Sequence, residues 1–239
     1  MDSKTVLITG AGTGIGRGIA VAFSETGMRL GLVGRTTETL EETAGQCSSE
    51  TVVLPCGVND RDGLAKVVSQ TESQFGRIDI LVNNAGMNTK KRNLGDMDPA
   101  DWDRVIDVNL TGAYNCFRAV LPSFLKAEDG LVINISSMAG KSAGTVGGVA
   151  YSASKFGMGS LTQSINSEFR EQGIRSTCIF PGEVDTPILD NRPVPVSAEK
   201  RSAALQPEDI AAAALMVARQ PDRAIVEEIT IFPRKRVSP

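Results

Sequence analysis

The sequence predicts an α/β protein: a doubly wound parallel sheet of about seven strands with helices on both faces. Three observations carry this expectation. Short β-branched, apolar runs alternate with longer stretches of helical periodicity, the order expected of successive βα units. Runs such as Val6-Leu7-Ile8 and Ile80-Leu81-Val82 are apolar on consecutive positions, as strands covered on both faces require. The first run feeds directly into Thr9-Gly10-Ala11-Gly12-Thr13-Gly14-Ile15-Gly16, a glycine-rich turn that opens a helical pattern.

Taken in order, the expected strands are Thr5–Thr9, Arg29–Val33, Thr51–Cys56, Ile78–Asn83, Leu131–Ser136, Ser176–Phe180 and Glu228–Phe232. Between them lie helical stretches at Gly14–Thr26, Thr37–Ser48, Arg61–Phe75, Pro99–Lys126, Ala150–Gln172 and Pro207–Gln220. Asp60 and Gln206 stand at helix starts, and Pro207 occupies a first-turn position where its missing N–H costs nothing. No internal repeat or low-complexity linker divides the chain, so one domain is expected over residues 1–239. The segment Thr186–Gln206 carries Pro187, Pro193 and Pro195 among charges. It is long for a plain connection and reads as a lid over a substrate site.

Composition narrows the function. Hydrophobic residues make up 41% and charged residues 22% of the 239 positions, enough to bury a core. The net charge of −3 gives no basis for a nucleic-acid or anionic-membrane surface. The basic end Arg234-Lys235-Arg236 reads as a solvated tail. No apolar run reaches the length of a membrane span. Met1-Asp2-Ser3-Lys4 leads into an apolar run too short for a signal peptide. Four scattered cysteines and no C-x-x-C suggest free thiols in a reducing, cytoplasmic setting. With no histidine in the chain, no metal site is expected.

The chemistry-bearing feature is Tyr151-Ser152-Ala153-Ser154-Lys155. Tyr151 and Lys155 are four apart, so on a helix they share a face. A fixed ammonium beside a phenol favours the phenolate, which predicts a lowered tyrosine pKa and a proton donor usable near neutral pH. The glycine loop supplies a second feature. In its strand–turn–helix context the glycines let a pyrophosphate approach the backbone, and the helix N-terminus offers N–H groups and a positive dipole end.

Read together, Thr-Gly-x-x-x-Gly-x-Gly and Tyr-x-x-x-Lys resemble the short-chain dehydrogenase/reductase family. Asn83-Asn84-Ala85-Gly86, Asp107-Val108-Asn109-Leu110, Ile133-Asn134-Ile135-Ser136-Ser137 and Pro181-Gly182-Glu183-Val184-Asp185-Thr186 follow in the family's order. The resemblance covers roughly residues 4–232. It implies a Rossmann-like fold and hydride transfer between NADP(H) and a small carbonyl or secondary alcohol.

By that resemblance, Gly10, Gly12, Thr13, Gly14, Ile15 and Gly16 hold the cofactor pyrophosphate. Gly34 stands where NAD-dependent relatives carry an acid, and Arg35 with Thr36 follows; a guanidinium suits a 2′-phosphate, which favours NADP. Arg17 could add to that contact but is read as a helix-surface residue. Gly57 and Val58 lie near the adenine, where Gly57 lacks the side-chain bond many relatives make. Asn83, Ala85 and Gly86 line the cofactor, with the Asn pair also able to tie strands. Pro181, Gly182, Val184 and Thr186 meet the nicotinamide end. Tyr151 is the general acid, and Lys155 tunes it and holds the ribose. Asn109 holds a water that links Lys155 to solvent, its bland alternative being a helix Asn bonded to backbone.

The serine that polarises the carbonyl is assigned to Ser137, with Ser136 as the alternative, read as a strand-end residue. The family's usual position falls on Met138, one residue later, but Gly140 follows Ser137 at the usual distance. Arg192, Lys90, Lys91 and Arg92 could meet an anionic substrate, although solvation is the commoner role of exposed basic side chains.

The end Ile229-Thr230-Ile231-Phe232-Pro233 departs from the family's frequent Val-Asp-Gly-Gly. It resembles a subgroup of NADP-dependent reductases of small hydroxy acids and short alcohols. Relatives pair the helices corresponding to Leu110–Lys126 and Ala150–Gln172 between subunits, which implies a homodimer or homotetramer. Two alternatives stand beside the leading reading: a 3-oxoacyl-thioester reductase served by an acyl carrier, and a non-catalytic NADP-binding sensor or scaffold.

Overall fold

The computed structural model describes residues 4–234; Met1–Ser3 and the Lys235-Arg236 part of the basic end lie outside them. Seven strands form one sheet: β1 (Thr5–Thr9), β2 (Arg29–Gly34), β3 (Thr51–Pro55), β4 (Ile80–Asn83), β5 (Gly130–Ile135), β6 (Ile174–Pro181) and β7 (Glu228–Ile231). All pairings are parallel, in the order β3-β2-β1-β4-β5-β6-β7. The chain winds from β1 out to β3, then returns to place β4 on the other side of β1. At that reversal the loops after β1 and β4 diverge and leave a crevice at the carboxyl ends of the strands.

Alternation along each strand feeds two cores. Val6, Ile8, Ile80 and Val82 pack with Ile19 and Phe23 of α1 (Gly14–Ser24). Leu7, Leu81 and Val132 face the opposite way. They meet Leu64 of α3 (Arg61–Phe75) and, beyond α2 (Thr37–Ala44) and α4 (Pro99–Ile106), Phe117 and Phe124 of α5 (Gly112–Ala127). The helix α6 (Val149–Phe169) shares this second layer through Ile165, and after the short α7 (Ala198–Ala203) the helix α8 (Pro207–Ala218) joins the first. Consecutive apolar residues in a strand are thus each buried, on opposite faces.

Helix starts follow local chemistry. The Asp60 carboxylate accepts from the Gly63 N–H at 2.9 Å, filling one of the orphan donors of a first turn. Gln206 and Asp209 form a reciprocal capping box at the start of α8.

Two expectations need correction. The single helix expected over Pro99–Lys126 is α4 and α5 joined by a π turn, Asp107–Thr111. The helix expected to reach Gln172 leaves α geometry after Phe169 and ends in a 3₁₀ turn, Arg170–Gln172. The segment expected as a lid holds a 3₁₀ turn, Pro187–Asn191, and α7. Among the described residues no helix is long and apolar enough to cross a membrane. No group of three His, Cys, Asp or Glu side chains among them is placed to hold a metal.

A tight fit closes the first crossover. A Cβ on Gly16 would land on the Gly10 carbonyl and within 2.5 Å of the Asn84 amide nitrogen. Backbone cannot yield there as a flexible side chain would. Gly16→Ala is therefore expected to destabilise the fold by about 1–3 kcal/mol, the ordinary cost of overpacking. Urea unfolding checks this, with an unchanged midpoint as the contrary result.

Candidate active site

A cleft of about 1430 Å³ crosses the carboxyl ends of the strands. One wall is the glycine loop. Gly10 and Gly14 have φ of +63° and +53°, a region open to glycine at little cost. A Cβ on Gly12 would collide with Thr39 Oγ1, and one on Gly14 would come within 3.1 Å of Thr186 Cγ2. The loop therefore presents bare backbone, and the N-terminus of α1 opens from Thr13 beside it. Gly14 faces Thr186 across a narrow gap.

Of the residues expected to bind cofactor, most line this cleft: Gly10, Gly12, Thr13, Gly14 and Ile15; Arg35 and Thr36; Gly57 and Val58; Ala85 and Gly86; Pro181, Gly182, Val184 and Thr186. Arg35 is exposed and makes no ion pair among the described residues. Arg17 is not a free surface cation. It donates to the Gly12 carbonyl at 2.6 Å and pairs with Glu42 at 2.9 Å, clamping the glycine loop to α2. Val58 is buried, and its carbonyl accepts from Asn115 Nδ2 at 3.2 Å.

Two expected cofactor residues lie off the cleft. Gly16 is packed beneath the loop. Asn83 points into the second core layer, where Nδ2 donates to the Ala113 carbonyl at 3.2 Å and to Asn134 Oδ1 at 2.9 Å; only the strand-tying half of its expected role has a geometric counterpart. Asn84 performs the other tie. Its Nδ2 donates to the carbonyls of Thr9 and Gly10 at 2.9 and 3.1 Å.

The opposite wall brings Ser137, Tyr151 and Lys155 together. The strand β5 delivers Ser136 and Ser137, and α6 delivers the other two. Ser137 is close enough to the Tyr151 phenol to lower its pKa, and its oxygen accepts from the Ala139 N–H at 3.1 Å. Ser136 is buried and donates to the Lys155 carbonyl at 3.0 Å. Gly140 lets β5 and α6 come this close, since a Cβ there would lie 2.6 Å from the Lys155 carbonyl oxygen.

Lys155 is 3% exposed. Its Nζ donates to the Ile135 carbonyl at 2.8 Å and lies 5.6 Å from the centroid of the Tyr151 ring. Burial pushes its ammonium down to about 8, against a smaller pull from Cys178. The Tyr151 phenol moves opposite to the sequence expectation. Burial raises it, outweighing the Ser137 hydrogen bond and the Arg192 and Arg92 guanidiniums. The ammonium sits against the ring and is bonded to a carbonyl, while the arginines supply the cationic pull on the hydroxyl.

Asn109 is fully buried within the π turn. Its Nδ2 donates to the Met87 carbonyl at 3.0 Å and to Ser154 Oγ at 3.1 Å, while Oδ1 accepts from the Met87 N–H at 2.7 Å. It meets Lys155 only around Gly86, whose Cβ would lie 3.5 Å from Asn109 Oδ1 and 3.7 Å from Lys155 Nζ.

Sequence reasoning missed Arg92 as a structural residue. It is 3% exposed. Its nitrogens donate to the carbonyls of Thr89 at 2.8 Å, Val146 at 3.0 Å and Asn191. One buried guanidinium thus joins the three loops around Tyr151. Lys90 and Lys91 are exposed. Arg192 lines the cleft and pairs loosely with Glu183 at 3.5 Å.

Comparison with known proteins agrees with this geometry. The family model for short chain dehydrogenases matches residues 4–194. An uncharacterized oxidoreductase of Staphylococcus aureus is 35% identical over 234 residues, with 98% of each chain covered. Another, of Staphylococcus saprophyticus, is 36% identical over 239 residues, again with 98% of each covered. Among solved structures, a metagenomic short-chain oxidoreductase in complex with NADP superposes with a TM-score of 0.81 at 32% identity, covering 98% of this chain and 99% of that one. A 3-ketoacyl-(acyl-carrier-protein) reductase from Brucella melitensis, complexed with NADH, gives 0.89 at 27% identity and 98% coverage of both. The chain belongs to the short-chain dehydrogenase family of oxidoreductases.

Proposed function

We propose that this protein is an NADP(H)-dependent reductase/dehydrogenase of a small carbonyl or secondary alcohol. One observation carries the reading: Ser137, Tyr151 and Lys155 converge on one wall of a cleft whose other wall is bare glycine backbone at a helix N-terminus. The cofactor, when bound, supplies the hydride chemistry.

The residues present fit that group. A Cβ at Gly10, Gly12 or Gly14 would crowd its own surroundings, so the loop offers N–H groups and a dipole end to a pyrophosphate. Gly34 at the end of β2 offers no carboxylate to a ribose 2′-hydroxyl, and Arg35 follows it. Arg35, exposed and without an ion pair among the described residues, is the 2′-phosphate receptor. Pro181, Gly182, Val184 and Thr186 form the far end of the cradle, and Tyr151 with Lys155 holds the ribose nearest the reacting carbon.

Tyr151 gives its proton to the carbonyl oxygen as that oxygen becomes negative. Its raised pKa keeps the phenol protonated near neutral pH, which suits an acid. The resulting phenolate is stabilised by the Arg192 and Arg92 guanidiniums. Ser137 gives its one hydroxyl hydrogen bond to the developing oxyanion. Lys155, with an ammonium that loses its proton as pH rises through about 8, returns the proton to Tyr151. Asn109 acts through Met87, holding the backbone beside Gly86 in place. The metagenomic oxidoreductase carrying NADP and the Thermococcus sibiricus alcohol dehydrogenase carrying 5-hydroxy-NADP support the cofactor assignment.

Three outcomes test these roles. Tyr151→Phe is expected to lower kcat by about 10²–10⁴-fold, the usual contribution of a positioned acid, while NADPH still binds in a fluorescence titration. Near-normal turnover refutes the acid role. Loss of one charge-assisted contact predicts that Arg35→Ala raises the Michaelis constant for NADPH about 10–100-fold and leaves that for NADH largely unmoved; equal effects refute the phosphate role. Ser137→Ala should lose most turnover. Ser136→Ala should chiefly lower the melting temperature, and turnover lost only in Ser136→Ala transfers the role to that serine.

A further inference from the structure

At the β3 edge of the sheet the cleft ends in an amide with bonding capacity to spare. The turn Gly57–Asp60 closes as the Asp60 N–H donates to the Gly57 carbonyl at 3.1 Å. Val58 packs into the second core layer, and Asn115 holds its carbonyl at 3.2 Å. Asn59 is left exposed on the cleft side. Its Nδ2 donates to Asp107 Oδ2 at 3.0 Å. Asp107 opens the π turn and lines the same cleft. An ionised carboxylate only accepts, so it dictates which end of the amide faces it. Oδ1 is thereby turned away, and no donor among the described residues bonds it. The second N–H of Nδ2 is also unused.

Gly57 makes room for this amide. A Cβ there would lie 2.9 Å from Asn59 Oδ1, closer than carbon and oxygen tolerate. The space of a side chain at position 57 is taken by the one two residues later.

The neighbourhood points to the ligand group. Gly34 pairs with Pro55, and the Cys56 N–H donates to the Gly34 carbonyl at 2.8 Å. Gly57 and Asn59 therefore border Arg35. With a 2′-phosphate on Arg35, the base of the same nucleoside falls at this turn. An amide offering one acceptor beside one N–H complements the 6-amino group and N7 of adenine. A 6-oxo purine would set oxygen against oxygen.

We propose that Asn59 reads the adenine of the cofactor, with Oδ1 accepting from the 6-amino group, and that Asp107 is the positioning residue that fixes the amide. This rests on the NADP(H) reading of the cleft and adds recognition of the base. The π turn then serves both ends of the site, with Asp107 directed to the base and Asn109 to Met87.

The test titrates the protein, without substrate, with NADPH and with its 6-oxo analogue, reduced nicotinamide hypoxanthine dinucleotide phosphate, following nicotinamide fluorescence. NADPH should bind about 5–100-fold more tightly than the analogue, the span of a bidentate contact between an amide and a base. Asn59→Ala should remove most of that ratio. Gly57→Ala, which drives the amide aside, should lower it too, and so should Asp107→Asn. A turn with a purely structural role would weaken both ligands alike and leave the ratio in place. A wild-type ratio of one, or a ratio unmoved by Asn59→Ala, overturns the assignment while saturable NADPH binding upholds the cofactor reading. A ratio that survives Asp107→Asn removes Asp107 from the device. If neither NADPH nor NADH binds saturably, the cofactor reading and the base recognition fall together.

Discussion

Everything in this molecule hangs on the staple between the ends of β1 and β4. Thr9 Oγ1 donates to the Val82 carbonyl at 3.2 Å and accepts from the N–H groups of Asn84 and Ala85 at 3.0 and 3.1 Å. Asn84 returns two bonds to the carbonyls of Thr9 and Gly10. Each such bond is worth only about 0.5–1.5 kcal/mol net, but each also satisfies a group that burial would otherwise orphan. The two strands are neighbours in space and distant in sequence. Holding their ends together while their loops part creates the crevice. Gly16, seated on Gly10, then fixes how close the first helix comes to it.

A second constraint is a buried lysine in a chain without histidine. Taking an ammonium from water is costly unless something replaces its hydration. Here the Ile135 carbonyl and the face of Tyr151 do so, and the charge becomes easy to lose. The cost is bearable because Ser136 and Gly140 lock β5 against the same turn of α6. Rigid packing thus sets a pKa, which in turn sets what the tyrosine can do. Ser136 is the tie itself, its hydroxyl donating from the end of β5 to the Lys155 carbonyl.

Much of this was legible in the sequence. The strands stood out because runs apolar at consecutive positions have few other uses. Arg61–Phe75 was readable to the residue because Asp60 caps it and Gly76 ends it. The π turn was hidden: Asp107-Val108-Asn109-Leu110-Thr111 contains no helix breaker, and one extra residue barely disturbs the apolar period. Asn83 was assigned to the cleft from its motif, yet strand alternation puts it on the side of Leu81, toward α5. That argument was available beforehand. Arg92 was not recoverable in this way. Between Lys90, Lys91 and Asn93 it looks like any solvated cation, and only the convergence of three distant loops shows why it is buried. The tyrosine pKa failed for a similar reason, since helix spacing locates Lys155 but says nothing of the desolvation around the phenol.

The π turn at Asp107–Thr111 also makes this stretch intolerant of changes in length. A wide turn stores one residue more than an α-helix needs. Removing one residue there would let α4 and α5 fuse into a regular helix with their faces still in register. The contacts of Phe117, Val120 and Phe124 on one side and of Val105 on the other would survive. What would be lost is the wide turn itself, and with it the place of Asn109 beside Met87. Insertions and deletions among natural variants of this chain should therefore gather in its surface loops and spare these five positions, even where their side chains drift.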